Sequence, residues 1–365
     1  MSSPTVTIII PTCNRPQYLS EALESVQCQT ARQQIGQVIV SENGGTDDSR
    51  QVCVRFPELP ILYLQQRPPV PIMDHLKVIW PHVTEPLVAI LHDDDWWEPE
   101  HLEKSVKILH SDPDCAAVYS SLWYTEGAQH PRREATMAFV VWLATGCDFR
   151  RSVLTLTQEQ VTLACLIGTA FHYSTVVGKA GAIYDAYCKI RDASNLFDND
   201  RTFPIFLTTH GHLAYLTQPT AYVRIHEQQD VKRYRETAHS RMAVTTRFIS
   251  KTWPDWVGSA IAHFNRVADN LDPFDLAICT HHIQGENREC LIEECGLNFG
   301  PPTSESRNWQ WFIQQLCPPC FYIMLKRATW YLRYLQNPQL FLTVVQAIFH
   351  SRRSQGKKPV TGVVP

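Results

Sequence analysis

Five short apolar runs recur through the first 120 residues, at 6–10, 38–40, 61–64, 87–91 and 116–120, with segments of helical spacing between them. The first interval is typical: Pro11 closes a β-branched run, and Tyr18, Leu19, Ala22, Leu23 and Val26 then fall on one helical face. Segments 46–56, 75–83 and 100–109 continue the alternation; farther on, 136–160 reads as irregular, 168–177 as a strand, and 212–215 and 221–225 as two more strands. Strands alternating with helices imply an α/β protein with a mostly parallel sheet and right-handed crossovers. Ligands of such sheets sit beyond the carboxyl ends of the strands. The loops after Ile10, Val40 and Leu91 are therefore expected to meet in space although they are far apart in sequence.

The chain has 365 residues, 44% hydrophobic and 19% charged, enough to bury a full core and a soft indication of two folded units. A formal charge of -3 offers no basic face for a phosphate backbone, so no nucleic-acid partner is expected. No run reaches the ~18–20 apolar residues of a spanning helix. The 12 cysteines are scattered and no charged-apolar-small leader precedes the first strand, which points to a reducing, cytoplasmic setting with mostly free thiols. Cys290, Cys295, Cys317 and Cys320 are the one suggestive grouping, readable as a structural zinc site or as ordinary thiols.

The most informative stretch is Leu91-His92-Asp93-Asp94-Asp95-Trp96-Trp97-Glu98-Pro99. Three successive carboxylates at a strand end repel one another unless a cation or solvent neutralises them. Mn²⁺ or Mg²⁺ shared with a diphosphate is one solution; a solvated turn or an acidic helix start is the other. The loop Pro11-Thr12-Cys13-Asn14-Arg15-Pro16 opens a helix, whose free N–H groups favour an anion. Simple capping by Thr12 or Asn14 reads the same residues structurally.

Three segments together carry a resemblance: Thr-Ile-Ile-Ile-Pro-Thr-Cys-Asn-Arg at 7–15, Val-Ile-Val-Ser-Glu-Asn-Gly-Gly-Thr-Asp at 38–47 and His-Asp-Asp-Asp-Trp-Trp-Glu-Pro at 92–99. In order and spacing they resemble the opening signatures of family-2-type inverting glycosyltransferases. The resemblance implies a GT-A type, Rossmann-like sheet flanked by helices; beyond about 235 long helical periodicities point to a mainly helical C-terminal region. With the boundary set by that periodicity near 235, the expected catalytic domain spans 1–235, with 1–120 the nucleotide-sugar half and 121–235 the acceptor half, and a helical region follows over 236–365. The resemblance also implies a nucleotide-diphosphate sugar as donor, UDP- or dTDP-linked, and a glycan or glycolipid acceptor.

Carried over residue by residue, the family pattern puts Pro11, Thr12, Asn14, Arg15, Glu42, Asn43, Asp93 and Arg224 at the donor nucleotide. Glu42-Asn43 stands where an Asp-Asp pair is more usual, and His92 where relatives are often acidic. Asp94 becomes the expected metal ligand, with Asp95 in support. Asp200, in Asn195-Leu196-Phe197-Asp198-Asn199-Asp200-Arg201-Thr202-Phe203, becomes the expected catalytic base, with Asp198 as alternative; either also reads as a helix cap. Tyr222-Val223-Arg224-Ile225-His226 resembles a later Arg-x-His element, and on a strand Arg224 and His226 share a face, so His226 is a further metal candidate. His172, in the small and aromatic segment 168–177, is the acceptor-side candidate, or a satisfied core histidine.

Two rival readings share this sheet. A sugar-phosphate nucleotidyltransferase opens with a glycine-rich loop, and Pro11 to Pro16 has no glycine. A catalytically silent glycan-binding or scaffold protein would be expected to lose the acids that remain here. After Glu305 there is no Asp or Glu, while cations and aromatics are frequent. That tail reads either as a peripheral contact with an anionic membrane face or as helices packed on the catalytic unit.

Overall fold

The computed structural model describes residues 4–125, 133–134, 140–141, 144–145, 151–192, 199–226, 238–270 and 285–297. Its strands are β1 (Val6–Thr12), β2 (Ile35–Asn43), β3 (Ile61–Gln66), β4 (Leu87–Ile90), β5 (Trp96–Trp97), β6 (Cys115–Thr125), β7 (Arg133–Glu134), β8 (Val153–Leu156), β9 (Val177–Lys179) and β10 (His212–Arg224). The helices are α1 (Pro16–Gln27), α2 (Asp48–Val54), α3 (Ile72–Ile79), α4 (His101–Ser111), α5 (Gln158–Ile167), α6 (Ala180–Asp192), α7 (Asn199–Leu207), α8 (Ala238–Thr252), α9 (Pro254–Asn270) and α10 (Gly285–Cys295).

The strands form one sheet in the order β3-β2-β1-β4-β9-β6-β10-β5, with β7 on β6 and β8 on β10. β3, β2, β1 and β4 are parallel, as are β6 and β10, while β9 runs antiparallel between β4 and β6. The parallel strands are those expected from the alternation, and the whole is the GT-A-like α/β arrangement that the resemblance implied. The first runs are apolar throughout because both faces of the sheet are covered. Ile8 and Ile10 pack with α1, α2 and α4, whereas Ile9 packs into a second cluster. That second cluster extends through α5, α6 and α7 to Ile249, Phe264 and Leu291 of α8, α9 and α10.

Local expectations were corrected in three places. Segment 168–177, read as a strand, is an extended approach followed by a tight 3-10 turn at Tyr173–Thr175, and pairing begins only at Val177. Ser174 is turned inward there to serve the acidic loop. Residues 212–215 and 221–225, read as two strands, lie on the single β10, whose register breaks between Leu216 and Ala221. Pro219 in that break has no N–H to give the ladder. Segment 136–160, read as irregular, contains β8 and the start of α5, where Thr157 and Gln160 form a capping box.

No helix of the described residues is long and apolar enough to cross a membrane. Cys290 and Cys295 are buried in α10, with Cys290 Sγ against the Ala243 carbonyl and Cys295 Sγ 3.2 Å from Ser250 Oγ. Burial raises both thiols, as for core cysteines. Cys317, Cys320, the tail from Trp309 to Arg353, and Asp198 lie outside the described residues.

Candidate active site

The acidic turn leaves β4 and is drawn across the sheet end by β5, which pairs antiparallel with Ala221 and Tyr222 of β10. This pairing brings Asp93, Asp94 and Asp95 under the β1 loop on one side and the end of β10 on the other. The three are only 4%, 8% and 1% exposed, so they do not form a solvated turn. Each has a different set of partners.

Asp93 accepts from Thr12 Oγ1 at 2.7 Å and from Arg15 at 3.2 Å. Burial, reinforced by Asp94, pushes its carboxyl up to about 6 against the opposing pull of Arg15 and Thr12. Asp94 Oδ2 meets Arg15 Nη1 at 3.0 Å and His226 Nε2 at 2.9 Å. Burial alone would raise Asp94, but His92, the His226 hydrogen bond and Arg15 outweigh it and hold the carboxyl below its ordinary value. Asp95 is braced from inside: Oδ2 accepts from Ser174 Oγ, and Oδ1 accepts from the Arg224 N–H at 3.1 Å. Burial, then Asp94, drives its carboxyl well above the usual range.

Ser174 is the joint of this turn. Its hydroxyl also accepts from the His92 N–H at 3.1 Å, and its carbonyl accepts from Trp97 Nε1 at 2.6 Å. His172 Nδ1 accepts the Ser174 N–H at 3.2 Å and lies 3.9 Å from Asp95, with its ring edge-on to His92 at 5.4 Å. Burial lowers His172 to about 4. Among the described residues, His92, Asp95 and His172 form a group whose possible ligand atoms all lie within 4.8 Å of one another.

Arg224 is a strut. Its guanidinium is sandwiched between the rings of Tyr18 and Trp96, each 4.7 Å away, bonded to Glu21, and its Nε donates to the Asp94 carbonyl at 3.1 Å. Such stacking on two aromatic faces suits arginine's planar charge. His226 leans on Tyr18 with ring centroids 4.9 Å apart.

Glu42 is fully buried and accepts from the Asn14 N–H at 3.0 Å and from Ser49 Oγ. Asn14 takes the left-handed φ of 55°, and its side chain accepts from the Thr46 N–H at 3.2 Å. Gly45 at φ 65° leaves open the space that Glu42 Oε1 occupies, which is why the turn after β2 ends in glycine. Asn43 uses both amide atoms on Val70, donating to its carbonyl and accepting its N–H, each at 2.9 Å. Pro11 lies on the last part of β1 beside Ser41.

Asp200 stands in the first turn of α7, where the positive helix end favours a carboxylate. Phe203 of the same helix packs on Tyr173 with ring centroids 4.8 Å apart, and Tyr173 precedes the Ser174 that serves Asp95, so the start of α7 lies on the side of the sheet end that carries the acidic turn. The first loop, the acidic turn, His172, Asp200 and His226 are thus gathered at one end of the sheet. Glu42 and Asn43 stand behind them, engaged with protein groups.

Sequence reasoning missed Ser174, Trp97, Tyr18, Glu21 and Arg201 as parts of this framework. Tyr18 and Glu21 sit three apart on α1 and so share a face, but nothing in their spacing announces a partner some two hundred residues away.

Residues 7–170 match the family described as Glycosyl transferase family 2. Over that segment, which holds the first loop and the acidic turn, the chain is similar to the family-2 glycosyltransferases, and the α/β fold agrees with the match. Among solved structures, it is similar to S. aureus TarS 1–349 in complex with UDP-GlcNAc, at 14% identity and a TM-score of 0.52 over 80% of each chain. It is also similar to the mannosyltransferase PcManGT from Pyrobaculum calidifontis in complex with GDP-Man and Mn²⁺, at 15% identity and a TM-score of 0.50, covering 86% of this chain and 85% of the other. No curated protein matches the sequence.

Proposed function

We propose that this glycosyltransferase moves a sugar from a nucleotide-diphosphate sugar to an acceptor hydroxyl with inversion, in the assembly of a glycan or glycolipid. The observation that carries the reading is the gathering of a helix-opening loop, three buried aspartates and a helix-borne carboxylate at one end of a parallel sheet. The similar structures, one in complex with UDP-GlcNAc and one with GDP-Man and Mn²⁺, support a nucleotide sugar as donor. The catalytic unit is assigned to 1–235 and the following helices to a supporting region.

In this scheme Pro11, Thr12, Asn14 and Arg15 form the nucleotide cradle, shaped from behind by Glu42 and Asn43. Asp93 faces the ribose or sugar, and Arg224 holds the acidic turn in place. The residues fit a divalent cation, Mn²⁺ or Mg²⁺. Asp94 is kept ionised, and its Oδ2 lies 2.9 Å from His226 Nε2. Adjacent ligands on a coordination sphere of ~2.1 Å radius are about 3 Å apart. The group of His92, Asp95 and His172 is wider, and both oxygens of Asp95 already hold protein donors, so Asp94 and His226 fit better as direct ligands with Asp95 bracing them. When bound, such a cation supplies Lewis-acid neutralisation of the departing nucleoside diphosphate.

Asp200 takes the proton from the acceptor hydroxyl as the oxygen attacks the anomeric carbon, and the bond to the diphosphate breaks on the opposite face. His172, at the border of the acid cluster, contacts the acceptor side. The deciding experiment is nucleotide release from a panel of uridine, thymidine and guanosine diphosphate sugars, with and without Mn²⁺. Cation-dependent release from at least one donor is expected. No release from any donor across the panel overturns the reading.

A further inference from the structure

Asp200 lies in a helix poorly equipped to hold it. α7 has nine residues and carries Pro204 inside it. Proline has no N–H for the ladder bond that would close on residue 200, and its ring crowds that carbonyl. A first turn built this way depends on something other than its own hydrogen bonds to keep a carboxylate aimed.

The neighbouring residue supplies the support. Arg201 is 0% exposed and is the largest fully buried side chain among the described residues. Its Nε donates to the Cys165 carbonyl at 2.6 Å and one Nη2 bond goes to the Leu166 carbonyl at 2.8 Å, both in the last turn of α5. Those are terminal helix carbonyls, at the negative end of the helix, where a cation is favoured. Nη1 donates to the Met242 carbonyl and Nη2 to Thr246 Oγ1, both at 2.8 Å and both on α8. One planar guanidinium therefore joins three helices, and it sits on the residue next to the proposed base. A lysine ammonium has three donors around a single atom and cannot span the same four acceptors.

We infer that Arg201 is the positioning residue for Asp200: it fixes the first turn of α7 against α5 and α8 and so makes the helices after residue 235 part of the catalytic apparatus. The inference rests on the assignment of Asp200 as base. Arg201 touches no reactant in this scheme and acts only through the placement of its neighbour. Phe203 and Leu207, buried one and two turns on, anchor the rest of α7 in the core, so the bonds of Arg201 bear chiefly on the helix start.

The test uses Arg201→Lys and the milder Thr246→Val, with Ile249→Ala on α8 as a variant that loosens the same core without touching the guanidinium. Binding of UDP with Mn²⁺ is measured by calorimetry, turnover by nucleotide release from UDP-GlcNAc or, if that donor is not used, GDP-Man, and stability by thermal melting. Arg201→Lys is expected to keep UDP affinity within about twofold and donor KM likewise, while kcat falls roughly 10²-fold, the lower end of what general-base help contributes. Thr246→Val is expected to lose less, in the same direction. In an Asp200→Asn background the Arg201→Lys loss is expected to vanish, because a group that acts through another is non-additive with it.

If Arg201→Lys slows turnover no more than an Ile249→Ala variant of equal melting temperature, or if its loss multiplies with that of Asp200→Asn, the positioning role is overturned while the base assignment stands. If Asp200→Asn alone keeps wild-type turnover, the base assignment fails and takes this inference with it.

Discussion

The acidic turn and the helix bearing Asp200 face the same end of the sheet but are held there by different means. The turn is secured by its surroundings at close range: Thr12 and Arg15 on Asp93, Arg15 and His226 on Asp94, Ser174 and the Arg224 N–H on Asp95. Of these partners, Thr12 and Arg15 fall within the segment that matches the family, and Ser174, Arg224 and His226 lie beyond it. The helix is secured by one buried guanidinium reaching α5 and α8, the latter beyond that segment. The contrast teaches that a carboxylate kept charged, as Asp94 is, can be fixed by ion pairs around it. On the proposed reading Asp200, which accepts a proton, is instead aimed from behind, through the residue beside it.

The largest expected effect separates the two regions outright. Asp200→Asn should lower transfer by roughly 10²–10⁴-fold while nucleotide affinity measured by calorimetry stays near wild type. Wild-type turnover in that variant would remove the functional distinction between the regions.

Asp94→Ala should do the reverse. It should weaken UDP binding in the presence of Mn²⁺ by about tenfold or more, the scale on which metal sites respond to lost support, with little change when Mn²⁺ is absent. Equal affinity with and without the ion in both proteins would detach Asp94 from the cation.

A smaller effect sharpens the account of the donor side. Asn43→Ala removes the two bonds that tie the β2 end to Val70 and should cost about 1–3 kcal/mol of stability, seen in denaturant unfolding. Base preference among nucleotide diphosphates should be unchanged, because both amide atoms of Asn43 face the Val70 main chain. A changed base preference with unchanged stability would return Asn43 to the nucleotide.

The smallest effect concerns pH. His75 is buried against Ser41 and Gln66, and burial lowers its imidazole to about 4. Between about 6.5 and 4 the unfolded chain binds a proton that the folded chain refuses, so stability falls as pH falls through that window. The slope from this one group is at most about 1.4 kcal/mol per pH unit. His75→Gln should flatten the slope between wild type at pH 6.5 and at pH 5; an unchanged slope would assign the acid sensitivity elsewhere.

What was legible in the sequence follows the range of the interactions. The strands β1 to β4 and the convergence of their loops could be read because apolar runs and helical spacing are local signals. The turn after β2 was equally legible in Glu42-Asn43-Gly44-Gly45, yet its role was not. Glu42 and Asn43 suggest exposed polar ligands, and only the fold shows them satisfied by Asn14, Ser49 and Val70. Ser174 was hidden in a segment that reads as a strand, and nothing in the spacing around Arg201, beside Asp200, marks it as buried.

The sequence alone determined the alternation of strands and helices, the acids at the end of the fourth run and the family they resemble, since each depends on neighbours along the chain. The tertiary structure decided which aspartate meets which cation, that Arg224 is a strut between two rings, and that Arg201 lies buried at the meeting of three helices. Those outcomes depend on hydrogen-bond geometry and desolvation between residues tens to hundreds of positions apart, and no local pattern of side chains encodes them.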